Sequence, residues 1–120
     1  MAHVAYLDMW PVDATQEYLQ WFGAQPAEVR EVVLAKVLLL EEFGPQLGRP
    51  HADTLKGSRI KNLKELRAKT EAHVVRVLYY FDERRRALLL VGGDKKGKNE
   101  RSFYKKLVAE AEALIERLRP

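Results

Sequence analysis

Cations and one tyrosine crowd the stretch LLLVGGDKKGKNERSFYKK, where Lys95, Lys96, Lys98, Arg101 and Tyr104 follow a greasy run. Two more cations stand upstream, Arg67 at the end of one expected strand and Arg76 inside the next, VVRVLYYF. Adjacent antiparallel strands would gather these positions into one region. Lysine and arginine stabilise charge on phosphoryl oxygens, and tyrosine or lysine can move a proton. Such a set could hold and cut a polyanion; the plainer reading is a solvated connector ahead of a helix. Arg76 is the most informative member. A guanidinium buried without a partner costs on the order of several kcal/mol, so it must reach an edge, a cleft or a carboxylate such as Glu65. For Tyr104 the alternative to chemistry is half-buried packing with its hydroxyl exposed.

Other chemistries find little support. His3, His51 and His73 are scattered without metal-ligand spacing and read as surface or strand-end residues, and the absence of cysteine excludes disulfides and thiolate metal sites. There is no nucleophile elbow, and GGDKKGKN lacks the spacing of a Walker loop.

A chain of 120 residues suits one domain, and 47% hydrophobic with 32% charged residues is the composition of a globular protein. The runs VLLL and ALLLV fall well short of the roughly 20 residues of a membrane helix. The start MAHVAYLDMW lacks the features of a secretory signal, so a cytoplasmic protein without membrane partners is expected. The net charge of +4 is unevenly spread. Residues 1–50 hold 3 Lys/Arg against 7 Asp/Glu, while Lys56 to Lys106 hold 16 against 6. A basic half beside an acidic one fits nucleic acid or an acidic partner, or a charged solvated face.

These residues need elements to position them. HVAYLDM (3–9) reads as a strand closed by Pro11, and Asp13 as the cap of a short helix through Phe22. Pro26 opens a second helix with Val29, Val33, Val37 and Leu40 at helical spacing, ended by Gly44-Pro45. Residues 48–57 read as a loop, 60–69 and 73–81 as a hairpin, 87–91 as a buried strand, and Gly92-Gly93 as the start of a loop. Asn99 caps a last helix with the stripe Phe103, Leu107, Ala111, Leu114 and Leu118. The order β-α-α-β-β-β-α predicts an α+β domain: a small antiparallel sheet, a helical hairpin on one face and a C-terminal helix.

Taken in order, GRPHADTLKGSRIKNLKELR, HVVRVLYYF and LLLVGGDKKGKNERSFY resemble the RelE/ParE superfamily of toxins, nearest its phage-derived HigB-type branch, over nearly the whole chain. The resemblance implies a RelE-like fold and a type II toxin neutralised by a cognate antitoxin of helix-turn-helix type with an acidic contact surface. It implies ribosome-dependent, metal-independent cleavage of messenger RNA, without a cofactor. The RNA 2′-hydroxyl attacks the adjacent phosphate, the 5′-oxygen leaves, and a 2′,3′-cyclic phosphate results. By the same resemblance Arg76 takes the place of the strand arginine on the scissile phosphate. Lys95 or Lys96 takes that of the cation after the third strand, and Tyr104 that of the C-terminal tyrosine. Lys56, Lys61, Lys64, Arg67, Lys98 and Arg101 form the implied RNA-binding set. Glu65 stands where some members carry a catalytic lysine, and Lys105 follows Tyr104 where HigB-like members often have histidine. The general base thus lies open among Tyr104, Lys61, Lys64, Lys95 and Lys96, with neighbouring cations expected to lower its pKa. A gyrase-binding toxin like the ParE branch and a non-catalytic RNA- or antitoxin-binding domain are the alternatives.

Overall fold

The alternation of Val74–Phe81 decides the architecture. Val75, Val77 and Tyr79 point into one apolar cluster, while Leu78 and Tyr80 join a second cluster on the opposite side. A central strand apolar on both faces needs cover on both. The computed structural model describes residues 9–119 and supplies it with three helices.

In chain order the elements are β1 (Val12–Ala14), α1 (Gln16–Gly23), α2 (Ala27–Phe43), a 3₁₀ turn (Gly44–Gln46), β2 (Ala52–Thr54), β3 (Lys64–Lys69), β4 (Val74–Phe81), β5 (Ala87–Asp94) and α3 (Glu100–Leu118). The strands form one sheet in the order β1-β5-β4-β3-β2. Tyr18 of α1 and Val29, Val33 and Leu40 of α2 bury against Leu66, Val75, Val77 and Leu89 on one face. On the other, Phe103, Leu107, Ala111, Leu114 and Ile115 of α3 cover Leu78, Leu88, Leu90 and Val91. The α+β class with a helical pair on one face and a C-terminal helix is the one expected from the sequence.

Several local expectations need correction. The strand expected over 3–9 lies outside the described residues apart from Met9, which has no regular structure. Asp13 does not cap a helix but sits in β1, which pairs parallel to β5, so the sheet is mixed rather than wholly antiparallel. Thr15 is the cap instead. Its hydroxyl accepts from the Tyr18 amide at 3.0 Å and donates at 2.6 Å to the carbonyl of Leu90, the residue left over at a bulge in β5. Residues 52–54, read as loop, form the edge strand β2. The strand expected from Ile60 begins only at Lys64, after a turn with Asn62 in the left-handed region at φ 63°. Leu118 is half exposed, and Ile115 fills the core in its place.

Gly92 and Gly93 are strand residues, not the start of a loop. Helices press on both faces of β5 here. A β-carbon on Gly92 would lie 2.5 Å from the Trp21 ring of α1, and one on Gly93 would lie 3.0 Å from Phe103 of α3. Glycine is needed for this close approach rather than for a turn. The strand therefore continues to Asp94 and delivers Lys95 directly beside the first turn of α3.

Candidate functional site

Strand register places Arg67, Arg76 and Gly93 in one row across β3, β4 and β5. Arg76 shares a face with Leu78, and Glu65 pairs with Leu78, so Glu65, Arg67 and Arg76 all lie on the α3 side. The helix starts over Gly93, with Asn99 capping the Ser102 amide at 3.0 Å and Phe103 seated on the glycine. Tyr104 is thereby held over the polar end of this face.

Four side chains close into one network. The Tyr104 hydroxyl donates to Glu65 Oε1 at 2.6 Å and accepts from Arg76 Nε at 3.0 Å. Arg76 Nη1 donates to the Val75 carbonyl at 3.0 Å, and its Nε lies 3.5 Å from Glu65 Oε1. Arg67 Nη1 donates to Glu65 Oε2 at 2.7 Å. Glu65 and Arg76 are only 3% and 5% exposed, so the carboxylate reading of Arg76 holds, with the tyrosine hydroxyl between the two charges. Breaking such a buried pair by removing one partner costs about 3–5 kcal/mol, because the other charge is left uncompensated.

The expectation that neighbouring cations lower the tyrosine pKa is overturned for Tyr104. Burial and then the hydrogen bond to the Glu65 carboxylate push it up to about 12, against the smaller opposing pull of Arg76. At neutral pH this hydroxyl is a proton-bearing donor. It is not a ready base.

Lys95 completes the rim. Its ammonium lies 5.7 Å from the centre of the Tyr104 ring and pairs with Glu100. The Lys95 hydrogen bond is the main cause holding the Glu100 carboxyl below its usual range, and Arg76 and Arg67 add to it. Glu100 is thus an exposed anion in the field of all three cations. Lys96 turns away and donates to the Glu71 carbonyl at 2.8 Å in the β3–β4 hairpin. Lys98 lies 6.0 Å from the Phe103 ring, and Arg101 is exposed on the first turn of α3.

The other cations singled out from sequence are elsewhere. Lys56 is exposed in the loop after β2, and Lys61 is exposed in the turn before β3. Lys64 shares the face of Leu66 under the helical pair and donates to Thr54 Oγ1 at 3.0 Å. Sequence reasoning missed Asp94. Its Oδ1 accepts from the amides of Val74 and Lys96 at 3.0 Å each, and Oδ2 lies 2.6 Å from His73 Nδ1. Burial opposes its ionisation, but the His73 hydrogen bond and these two amides outweigh that and hold its pKa low. An aspartate at the end of a strand, able to accept from the backbone amide two residues on, was the available signal.

Residues 20–116 match the family described as phage-derived protein Gp49-like. The chain belongs to the phage-derived Gp49-like family. Two Mycobacterium tuberculosis proteins, described as candidate toxins HigB2 and HigB3, are similar to this Gp49-like chain. HigB2 is 38% identical over 91% of the chain and 54% of its own length, so the chain spans about half of that relative. HigB3 is 42% identical over 70% of the chain and 72% of its own length. Among solved structures, a mutant of the Escherichia coli toxin RelE in the free state superposes with a TM-score of 0.60 at 18% identity, covering 92% of this chain and 99% of that one. The Gp49-like chain therefore has the RelE fold. Among its described residues no helix is long and apolar enough to cross a membrane.

Proposed function

We propose that this Gp49-like chain is the toxin of a type II toxin–antitoxin pair and cuts messenger RNA on the ribosome. The network of Tyr104, Glu65, Arg76 and Arg67 with Lys95 at its rim is the observation that carries the reading. Arg67 and Lys95 keep part of their surface exposed and meet the phosphoryl oxygens, while Arg76 lies behind and fixes Tyr104. The 2′-oxygen bonds to phosphorus as the bond to the 5′-oxygen breaks. One proton leaves the 2′-hydroxyl and another reaches the 5′-oxygen. The proton-bearing Tyr104 suits the donor's part toward the 5′-oxygen. Lys95, an ammonium paired with Glu100, stabilises charge rather than serving as the base, and the 2′-hydroxyl proton passes to solvent. Charge stabilisation by prearranged cations supplies the rest.

The partner that would silence this site is an acidic antitoxin, in keeping with the 16 Lys/Arg against 6 Asp/Glu between Lys56 and Lys106. Its association should slow as salt rises, since exposed charges are screened beyond about 8–10 Å.

Expression without an antitoxin tests the reading. Growth should stop through loss of translation, with messenger fragments that form only when ribosomes are present. Double-strand breaks with intact messenger would replace it with gyrase inhibition. Normal growth at good expression would leave a non-catalytic binding domain.

A further inference from the structure

A second basic surface lies at the other end of α3, and the site around Tyr104 does not absorb it. There the β4–β5 turn, the turn before β3, the start of α1 and the end of α3 enclose an open groove of about 1160 Å³. Its floor is apolar: Tyr80, Leu88 and Leu118 line it, with the Tyr80 ring only partly covered. Lys61, Arg84 and Arg119 also line it, and among the described residues none of their side chains is in an ion pair. Arg86 and Arg117 are already held there, by Asp82 and Asp13 and by Glu17. Burial is the first cause of a raised Tyr80 pKa and Asp82 the next, yet Arg119 is near enough to pull against them. Arg119 and the partly covered Tyr80 ring thus line the same groove.

We infer that this groove binds a segment of single-stranded RNA, one base stacking on Tyr80 while phosphates meet Lys61, Arg84 and Arg119. A partly exposed ring in a groove with uncommitted cations suits single strands, because every base has a face to stack while a duplex keeps its bases inside. The groove lies at the end of the sheet, and its Tyr80 and Leu88 are on the same face as the Tyr104 site. Tyr80 is four residues beyond Arg76 on β4, roughly 13 Å away. One strand can therefore reach both places, and the groove would hold RNA flanking the scissile step. That last point rests on the proposed endonuclease; binding in the groove does not.

Fluorescence anisotropy on the purified, folded protein with a labelled single-stranded RNA of about twelve nucleotides tests it. The variants are Tyr80→Leu and the triple change Lys61→Gln, Arg84→Gln, Arg119→Gln, with circular dichroism to confirm folding. Tyr80→Leu should weaken binding about tenfold. The triple variant should weaken it at least as much, and should flatten the slope of log affinity against log salt by about two. Duplex RNA of the same length should bind the parent and Tyr80→Leu equally. A parent that does not bind the single strand, or folded variants that bind it as the parent does, would overturn the groove. Groove-dependent binding without ribosome-dependent cleavage would leave the groove standing and remove the endonuclease.

Discussion

The hydroxyl of Tyr104 donates to Glu65 at 2.6 Å, joining the last helix to the second-to-edge strand across a buried charge. The same oxygen accepts from Arg76. One atom therefore serves structure and candidate chemistry together, and a conservative change at it separates the two. Tyr104→Phe keeps the ring over the sheet but leaves Glu65 Oε1 and Arg76 Nε each short of a partner. A loss of about 1–3 kcal/mol of stability is expected from urea unfolding. Ribosome-dependent cleavage should fall by roughly 10²–10⁴ if the hydroxyl moves a proton. A folded variant that cuts at the parental rate would confine Tyr104 to holding Glu65 and Arg76.

Alkaline pH should act through the same tyrosine. Tyr104 and Tyr18 are both pushed up to about 12 in the folded chain, from an ordinary value of 10.0. Above pH 10 the unfolded chain loses these protons while the folded chain keeps them, so the unfolded state gains. Their contribution is whole below pH 10 and drains away as pH rises to about 12. The urea midpoint should stay level up to that range and then drop. In Tyr104→Phe the drop should be shallower by about one proton's worth of slope. An equal slope in both proteins would mean that the Tyr104 hydroxyl ionises as readily folded as unfolded.

Legibility in the sequence followed the range of the forces involved. The strand over Val74–Phe81 and the stripe of α3, apart from Leu118, rest on local signals and were readable. Thr15 was hidden behind Asp13 because either can cap, and what selects Thr15 is its bond to the Leu90 carbonyl from a distant strand. β2 was hidden because three residues carry too little periodicity to outweigh a loop-like setting. In the site, burial cost alone required Arg76 to reach an edge, a cleft or a carboxylate, and it is Glu65 that it meets. That Tyr104 would stand between it and Glu65 depends on where α3 lands, which the close approach at Gly93 fixes. Lys61 and Lys64 looked like neighbours of Glu65 by number, yet a turn and a strand's alternation send them elsewhere.

The two glycines before Asp94 give a direct test of that packing. Gly92→Ala would put a β-carbon 2.5 Å from the Trp21 ring, so the ring or α1 must shift. Overpacking of this kind costs about 1–3 kcal/mol, so the melting temperature should fall by about 5 °C or more. A glycine serving only as a flexible joint would predict the reverse, a small gain from a less flexible unfolded chain. Unchanged or raised thermal stability in Gly92→Ala would therefore contradict the packing role.

Glu100 gives the last prediction. Its carboxylate pairs with Lys95 within the field of Arg76 and Arg67, where an incoming phosphate would be held on the proposed reading. It is the exposed member of that pair, with a side chain 68% accessible against 18% for Lys95, so an RNA phosphate can displace it. Glu100→Gln removes the competing charge and keeps the side chain's shape. Affinity for single-stranded RNA should rise several-fold at low salt, and the salt slope should steepen by about 0.7, the share of one more phosphate contact. The substitution also takes a favourable anion from the first turn of α3, so thermal stability should fall slightly even as binding improves. Weaker RNA binding by a folded Glu100→Gln would assign Glu100 the opposite part: it would be holding Lys95 in place for the phosphate rather than standing in its way.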